Sequence, residues 1–456
     1  MSNSQKYHID MTRGPIFSKL LLFSIPLMLS GILQLSFNAA DMAVAGRFAS
    51  HEALAAIGAT TSLFHLLIGL CQGLSIGVTV VISKFYGSRD HASLSKSVHT
   101  AIAMAIYGGL IAMTAALLLA RPMLKLMGTP AEIFESSCLY LWLIIAGVPV
   151  LMVNNFGGAI LRAVGDTRRP LYFLIAAGIV NVILNLVFVI LFRMSVAGVA
   201  LATILSNGLS AALVLRTLMR ENGSCRFSFK QMKINYPILR KMVLIGLPAG
   251  IQGCFFSFSN LTIQSSINSF GSEAMAGSMA AYTFEAIVYT IVNSFHQAVI
   301  SFCSQNLGSK SYQRIPKVLL YSTVTSVVMT AAVGIIFIIF SEPLLAIFNT
   351  DLQVIQWGKT RLLVLLSLYS LCSLMEISTG ALRGLGHSNI PAVSSLLTIC
   401  GTRLVWVGFV FPHSRSMGTL MASYPISWTL NTLICGAFLV YFLRPLLKSQ
   451  SKLNRL

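Results

Sequence analysis

Residues 161–170 read LRAVGDTRRP, and residues 382–391 read LRGLGHSNIP. Arg162 pairs with Arg383, Gly165 with Gly386 and Pro170 with Pro391, each pair 221 positions apart. The same offset pairs Tyr86-Gly87-Ser88 with Leu307-Gly308-Ser309, and Glu52-Ala53-Leu54-Ala55 with Glu273-Ala274-Met275-Ala276. At an offset of 222, Ser24-Ile25-Pro26-Leu27 matches Gly246-Leu247-Pro248-Ala249. One such match is cheap. Several at one offset describe a chain built twice.

What is repeated is a set of membrane spans. Apolar residues make up 55% of the chain and charged residues 10%, with a mean hydropathy of +0.79. A soluble domain carries roughly 25% charge. Apolar stretches long enough to cross a bilayer recur from end to end. They predict twelve spans, at 17–45, 54–82, 97–120, 139–163, 171–192, 196–219, 238–268, 274–304, 317–340, 357–382, 390–412 and 417–443. The fold class expected is an all-α polytopic membrane protein, with twelve transmembrane helices in two pseudo-symmetric six-helix lobes around a central cavity. The lobes are 1–219 and 238–456, joined by a cytoplasmic linker at 220–237, RENGSCRFSFKQMKINYP. Six spans per copy keep the orientation, so the lobes are parallel repeats about an axis along the membrane normal.

The net charge of +19 imitates a nucleic-acid binder, but its distribution follows topology. Alternate loops hold 24 of the 32 Lys and Arg residues on one side. The other eight are Arg47, Arg121, Lys125, Arg193, Lys359, Arg361, Arg403 and Arg415. The positive-inside rule then puts both termini in the cytoplasm. The first apolar run is too long for a cleavable signal and reads as a span. The eight cysteines form no CxxC pair and read as small buried hydrophobes. No GxxxxGK[ST] sequence supplies an ATP-driven engine. No nucleophile–base set or His-rich metal motif lies within the spans, so the chain does not read as an enzyme. No cofactor is expected.

Only 13 residues are acidic, and three of them fall inside spans: Asp41, Glu285 and Glu376. A carboxylate at a helix centre costs about 2.5–3.5 kcal/mol to insert, so such residues usually face a cavity. Asp41 sits late in the first span. Its lobe offers Asn154 and Asn155 in the fourth span, Asn181 and Asn185 in the fifth, and Thr203 in the sixth. Asn181 and Asn185, four apart, share a helix face. One carboxylate amid neutral oxygens can hold a proton or a transient Na⁺. The same amides can equally bind helices together. In the other lobe, Glu376 is the repeat mate of Asn155, and Glu285 has Tyr282 and Tyr289 nearby at helical spacing. That pair reads as a cation or substrate site. Pro26, about four turns before Asp41, is a candidate hinge because proline removes a backbone hydrogen bond. His65, His99 and His296 are candidate proton carriers, though a lone histidine in a span is more often a packing or hydrogen-bonded group.

The doubled LR-x-x-G element and the matched prolines Pro26 and Pro248 resemble the MATE (multidrug and toxic compound extrusion) family, and Asp41 in the first span resembles its prokaryotic DinF and MepA-like branch. The resemblance implies export of amphipathic, often cationic compounds in exchange for H⁺ or Na⁺, by alternating access between two lobes. It also implies a multi-pass protein of the prokaryotic inner membrane that acts as a monomer in the lipid bilayer. Many family members carry Asp where this chain has Asn185, so the first lobe is one acid short of the pattern. A second reading is a flippase for lipids or lipid-linked sugars. It would need a basic cavity, and only Arg403 sits well inside a span.

Overall fold

The computed structural model describes residues 7–48 and 51–453; Lys6 and Arg455 of the charge count lie outside the described residues. All regular structure among them is helical. The first half contains α1 (Ile16–Phe48), α2 (His51–Ser88), α3 (His91–Leu126), α4 (Ala131–Ala146), α5 (Val148–Ala163), α6 (Arg168–Leu186) and α7 (Ser195–Arg220). The second contains α8 (Tyr236–Asn268), α9 (Ser272–Gly308), α10 (Arg314–Ile339), α11 (Ser341–Ala346), α12 (Leu352–Ser367), α13 (Tyr369–Gly384), α14 (Asn389–Ser395), α15 (Thr402–Val405) and α16 (Met417–Leu453). Ten spans among the described residues are long and apolar enough to cross a bilayer. The pairs α4/α5, bent by 42°, and α12/α13, bent by 49°, bring the total to twelve.

The repeated decapeptide is a helix terminator in both copies. Gly165 and Gly386 each adopt φ +92°, a conformation that costs glycine little. In the first copy the amide of Asp166 reaches back to the Leu161 carbonyl at 2.9 Å, and Gly165 to Arg162 at 3.0 Å. In the second, His387 bonds Leu382 at 2.8 Å and Gly386 bonds Arg383 at 2.9 Å. These bonds satisfy carbonyls that the helix end would otherwise orphan.

The chain forms two compact units, and their division differs from the lobe boundaries expected. One unit is Met1–Asp10 with Leu29–Leu247; the other is Met11–Met28 with Pro248–Leu456. The opening segments of α1 and α8 are thus each counted with the unit that the rest of the helix does not join. In the first unit the reason is packing. Ile238 and Met242 of α8 are buried in a core with Val98, Ile102, Phe156, Ile160, Val214 and Leu218. At Gly77 of α2 a Cβ would lie 2.0 Å from the Met242 carbonyl oxygen, so only glycine permits this crossing. The expected linker is no free tether either. Phe227 is buried, its ring 5.4 Å from that of His99, and His99 Nε2 accepts from the Ser228 amide at 3.2 Å.

The second unit holds the start of α1 against α9. The Met11 amide donates to Gln305 Oε1 at 3.2 Å, and Asn306 Nδ2 donates to the Met11 carbonyl at 3.2 Å. Phe23 meets Phe302 edge-on at 6.0 Å.

Candidate functional site

Each unit buries polar groups of its own, and the two sets differ in sign. In the first unit, Asn185 Nδ2 donates to Asp41 Oδ1 at 2.5 Å. Asn181 Oδ1 lies 3.4 Å from the same nitrogen. Both amides are buried. Immediately after Asn185, α6 widens into a π-helical turn over Val187–Leu191, a feature common where side chains do chemistry. Asn185 Oδ1 is buried and has no hydrogen-bond partner. Amide orientation is coupled to the charge on Asp41. With Nδ2 facing it, the carboxylate is the acceptor; a protonated Asp41 would instead donate to Oδ1 after the amide turned over.

Hydrogen bonds join Asp41, Asn181 and Asn185, while Thr203 and Asn154 bond other groups. Thr203 donates to the Val199 carbonyl of its own helix at 2.9 Å. Asn155 is half-buried on α5, and its neighbour Asn154 accepts from Ser210 Oγ at 2.8 Å. Pro26 is buried within α1, among the residues counted with the second unit.

The second unit contains a cavity of about 280 Å³, and both span carboxylates line it. Each is already partnered. Glu285 Oε2 accepts from Arg361 at 2.7 and 3.3 Å, while Arg361 also donates to Ser278 Oγ at 2.6 Å. Glu376 Oε2 lies 2.9 Å from His296 Nδ1. On the other edge of the imidazole, Arg383 Nη1 lies 3.0 Å from Nε2. Because the guanidinium can only donate, Nε2 is the acceptor there and Nδ1 is the donor toward Glu376, whose backbone carbonyl lies 2.7 Å from it. Arg383 continues to Gln252 Oε1 at 2.7 Å, and Gln252 to Ser395 Oγ at 2.8 Å. Six aromatic side chains, Phe256, Tyr282, Tyr289, Tyr369, Tyr424 and Trp428, form much of the cavity wall, with Asn260 and the smaller Ala286, Cys372, Met375 and Ile399 between them. Arg403 completes it.

Three of these groups, Arg361, His296 and Arg383, were not among the expected site residues. Arg361 was expected in an outer loop and is instead buried in α12. Its signal was present: Val354, Ile355, Gly358, Leu362, Leu365 and Leu366 are buried with it at helical spacing, so Arg361 lies on the apolar stripe. Arg383 was visible as the repeated arginine. His296 carries no local signal, because Glu376 is 80 positions away.

The MatE family model matches residues 26–187 and 248–407, the two halves in register with the repeat. The chain belongs to the MatE family. It is therefore a multi-pass membrane transporter, not an enzyme. It is 25% identical to the probable multidrug resistance protein YoeA of Bacillus subtilis strain 168, over 93% of each chain. It is 26% identical to an FAD transporter of Shewanella oneidensis, over 92% of this chain and 94% of that one. With the multidrug export protein MepA of Staphylococcus aureus it shares 22% identity over 97% of each chain. The fold matches a solved outward-facing multidrug resistance MATE transporter of the MOP superfamily, with a TM-score of 0.88, 20% identity, and coverage of 98% of this chain and 99% of that one.

Proposed function

We propose that this MatE transporter is a multidrug exporter: it expels amphipathic organic compounds in exchange for H⁺ or Na⁺, with Asp41 as the coupling carboxylate. The observation that carries the reading is Asp41 set against two buried amides, Asn185 and Asn181, with one amide oxygen left unpartnered. A single carboxylate with neutral oxygens beside it can hold a proton or a hard cation and release either. The names of relatives such as YoeA and MepA support multidrug export. Asn181 and Asn185 serve as the partners of Asp41, while Asn155 and Thr203 act through the packing around it. Glu285 and Glu376 belong to the cargo cavity of the second unit.

The transport cycle is alternating access, a rocking of one lobe against the other, which parallel repeats support. The protein works as a monomer, since one chain supplies both copies. It lies in the prokaryotic inner membrane with both termini in the cytoplasm, as the 24 positive residues on one side support. The flippase alternative gains Arg403 and Arg361 as buried cations. Arg361 is engaged by Glu285, however, which leaves a pyrophosphate one unpaired arginine.

Dye efflux from cells expressing the chain tests the reading, first with a proton uncoupler and then with Na⁺ removed. Loss under one of the two treatments is the expected result and names the ion. Efflux insensitive to both would overturn antiport.

A further inference from the structure

Arg403 is the cavity group that no carboxylate partners. It is 4% exposed and lines the hollow of the second unit. Its Nη1 donates to the neutral Asn260 at 3.0 Å. Its guanidinium stacks over the Tyr424 ring at 3.9 Å. Its Nε is buried with no hydrogen-bond partner. Among the described residues no carboxylate lies within ion-pair distance of it, whereas Glu285 is held by Arg361 and Glu376 faces the His296–Arg383 pair. A buried guanidinium with a free donor is costly unless something pairs with it.

The internal repeat sharpens the point. In the first unit, α1 and α6 meet through Asp41 and Asn185. The equivalent helices of the second copy, α8 and the span holding α15, meet through Asn260 and Arg403. By the 222-residue offset Asn260 corresponds to Asn38, and by the 221-residue offset Arg403 corresponds to Val182. Both members of the second contact thus lie three residues, one helical turn, before Asp41 and Asn185. The same pair of helices carries an acid in one copy and a base in the other. Irregular turns accompany both: π-helical turns at Leu396–Gly401 and Trp406–Val410 flank Arg403, as Val187–Leu191 follows Asn185.

Resting on the export reading, we propose that the second unit's cavity selects planar aromatic compounds bearing a negative group, with Arg403 pairing the anion and Tyr424, Tyr369 and Trp428 packing on the rings. Arginine offers a planar fork suited to carboxylate, sulfonate or phosphate. The aromatic wall supplies area without much ordering cost. This reverses the cationic preference expected from the sequence, in which the carboxylates Glu285 and Glu376 were to meet the cargo. It also separates the two jobs: the acid copy handles the coupling cation and the basic copy handles the cargo, so the two do not compete for one charge.

The test is calorimetric binding to the purified full chain in nanodiscs, with 2-naphthoate and 2-naphthylmethylammonium as ring-matched probes of opposite charge. Wild type is expected to bind naphthoate at least about tenfold more tightly than the amine, roughly 1.4 kcal/mol. Arg403→Gln should lose that preference, and Arg403→Lys should keep part of it. Thermal melts accompany each variant, and the wild-type preference needs no variant to fold. Equal or tighter binding of the amine by wild type would overturn the proposal. So would unchanged naphthoate affinity in a folded Arg403→Gln. Displacement of naphthoate by inorganic pyrophosphate at comparable concentration would also overturn it, in favour of a polyphosphate site. Failure of the export reading shows elsewhere, as absence of dye efflux from cells, since binding in nanodiscs requires no transport.

Discussion

At the scale of single residues, the three span carboxylates have different surroundings, and their substitutions should differ accordingly. Asp41→Asn removes the only charge in its cluster and leaves a neutral amide beside Asn185. Efflux is expected to fall to the level of cells without the protein, while expression holds; resistance equal to wild type would refute the coupling role. Glu285→Gln behaves differently, because it strands Arg361 in the interior. Removing one partner of a buried pair costs about 3–5 kcal/mol. The variant should therefore melt well below wild type, and adding Arg361→Met should restore the melting temperature. A Glu285→Gln protein of unchanged stability would show that the pair is not a structural clamp. Outside the spans, the ends of α5 and α7 meet in a charged cluster. Arg169 bridges Asp166 and Glu221, and His8 Nε2 lies 3.6 Å from Glu221. Burial pushes the Asp166 carboxyl up despite Arg169. Burial also pushes at Glu221, but His8 and Arg169 outweigh it and hold that carboxyl below the usual range. A depressed carboxyl stabilises the fold above its unfolded value, and that contribution is lost as pH falls through its folded value; the raised Asp166 works in the opposite sense. Glu221→Gln should flatten the acid limb of the melting-temperature curve. An identical limb in the variant would exclude Glu221 as its source.

At the scale of elements, the sequence disclosed what depends on local chemistry. Span count was legible because long apolar runs leave few alternatives, and the repeat was legible in Gly165 and Gly386, which both end a helix. Asp41 with Asn181 and Asn185 was legible for a similar reason, since four-residue spacing fixes a shared face. The bond Thr203 makes was not legible, because a hydroxyl can bond its own helix and nothing in the sequence says whether it will. Arg361 was misplaced because charge near a span's end imitates a loop. The bends in α4/α5 and α12/α13 were read as single straight spans, since bending there follows from packing. α1 contains a proline whose consequence is local. Pro26 cannot donate to the Leu22 carbonyl, and α1 passes from one unit's residues to the other's three positions later, at Leu29. Pro26→Ala should restore that bond and raise the melting temperature, since proline in a helix interior costs about 3 kcal/mol relative to alanine. It should also slow dye efflux if bending at this turn belongs to the cycle. A variant that is more stable and equally fast would show the kink to be static.

At the scale of the whole molecule, the repeat is reused with altered chemistry. The 221-residue offset takes Asp166 to His387 and Glu221 to Phe442. The ionic cluster of the first copy is thereby replaced in the second by a stacked pair, His387 on Phe442 at 3.9 Å. The same position is held by charge in one copy and by an aromatic contact in the other, just as Asp41 and Arg403 invert the sign of a shared helix pair. Symmetry here was legible in the glycines and prolines that shape backbone, and illegible in side chains that diverged after duplication. The exchange of helix openings was also hidden, because a residue's partner in space leaves no trace in its own spacing. It makes a testable demand on folding. A first half ending at residue 231 lacks Ile238 and Met242, which complete the core around Phe156 and Val98. A second half beginning at residue 232 lacks Met11, whose amide and carbonyl both bond α9. Each half alone should therefore be unstable and quickly degraded, while the two halves coexpressed should assemble and regain dye efflux. Cutting near residue 231 breaks only the segment after a short turn, so the coexpressed pair loses chain connectivity and no core contact. If the first half alone purifies as a monodisperse protein with a sharp thermal transition, Ile238 and Met242 are dispensable to its core and the exchange carries no folding weight.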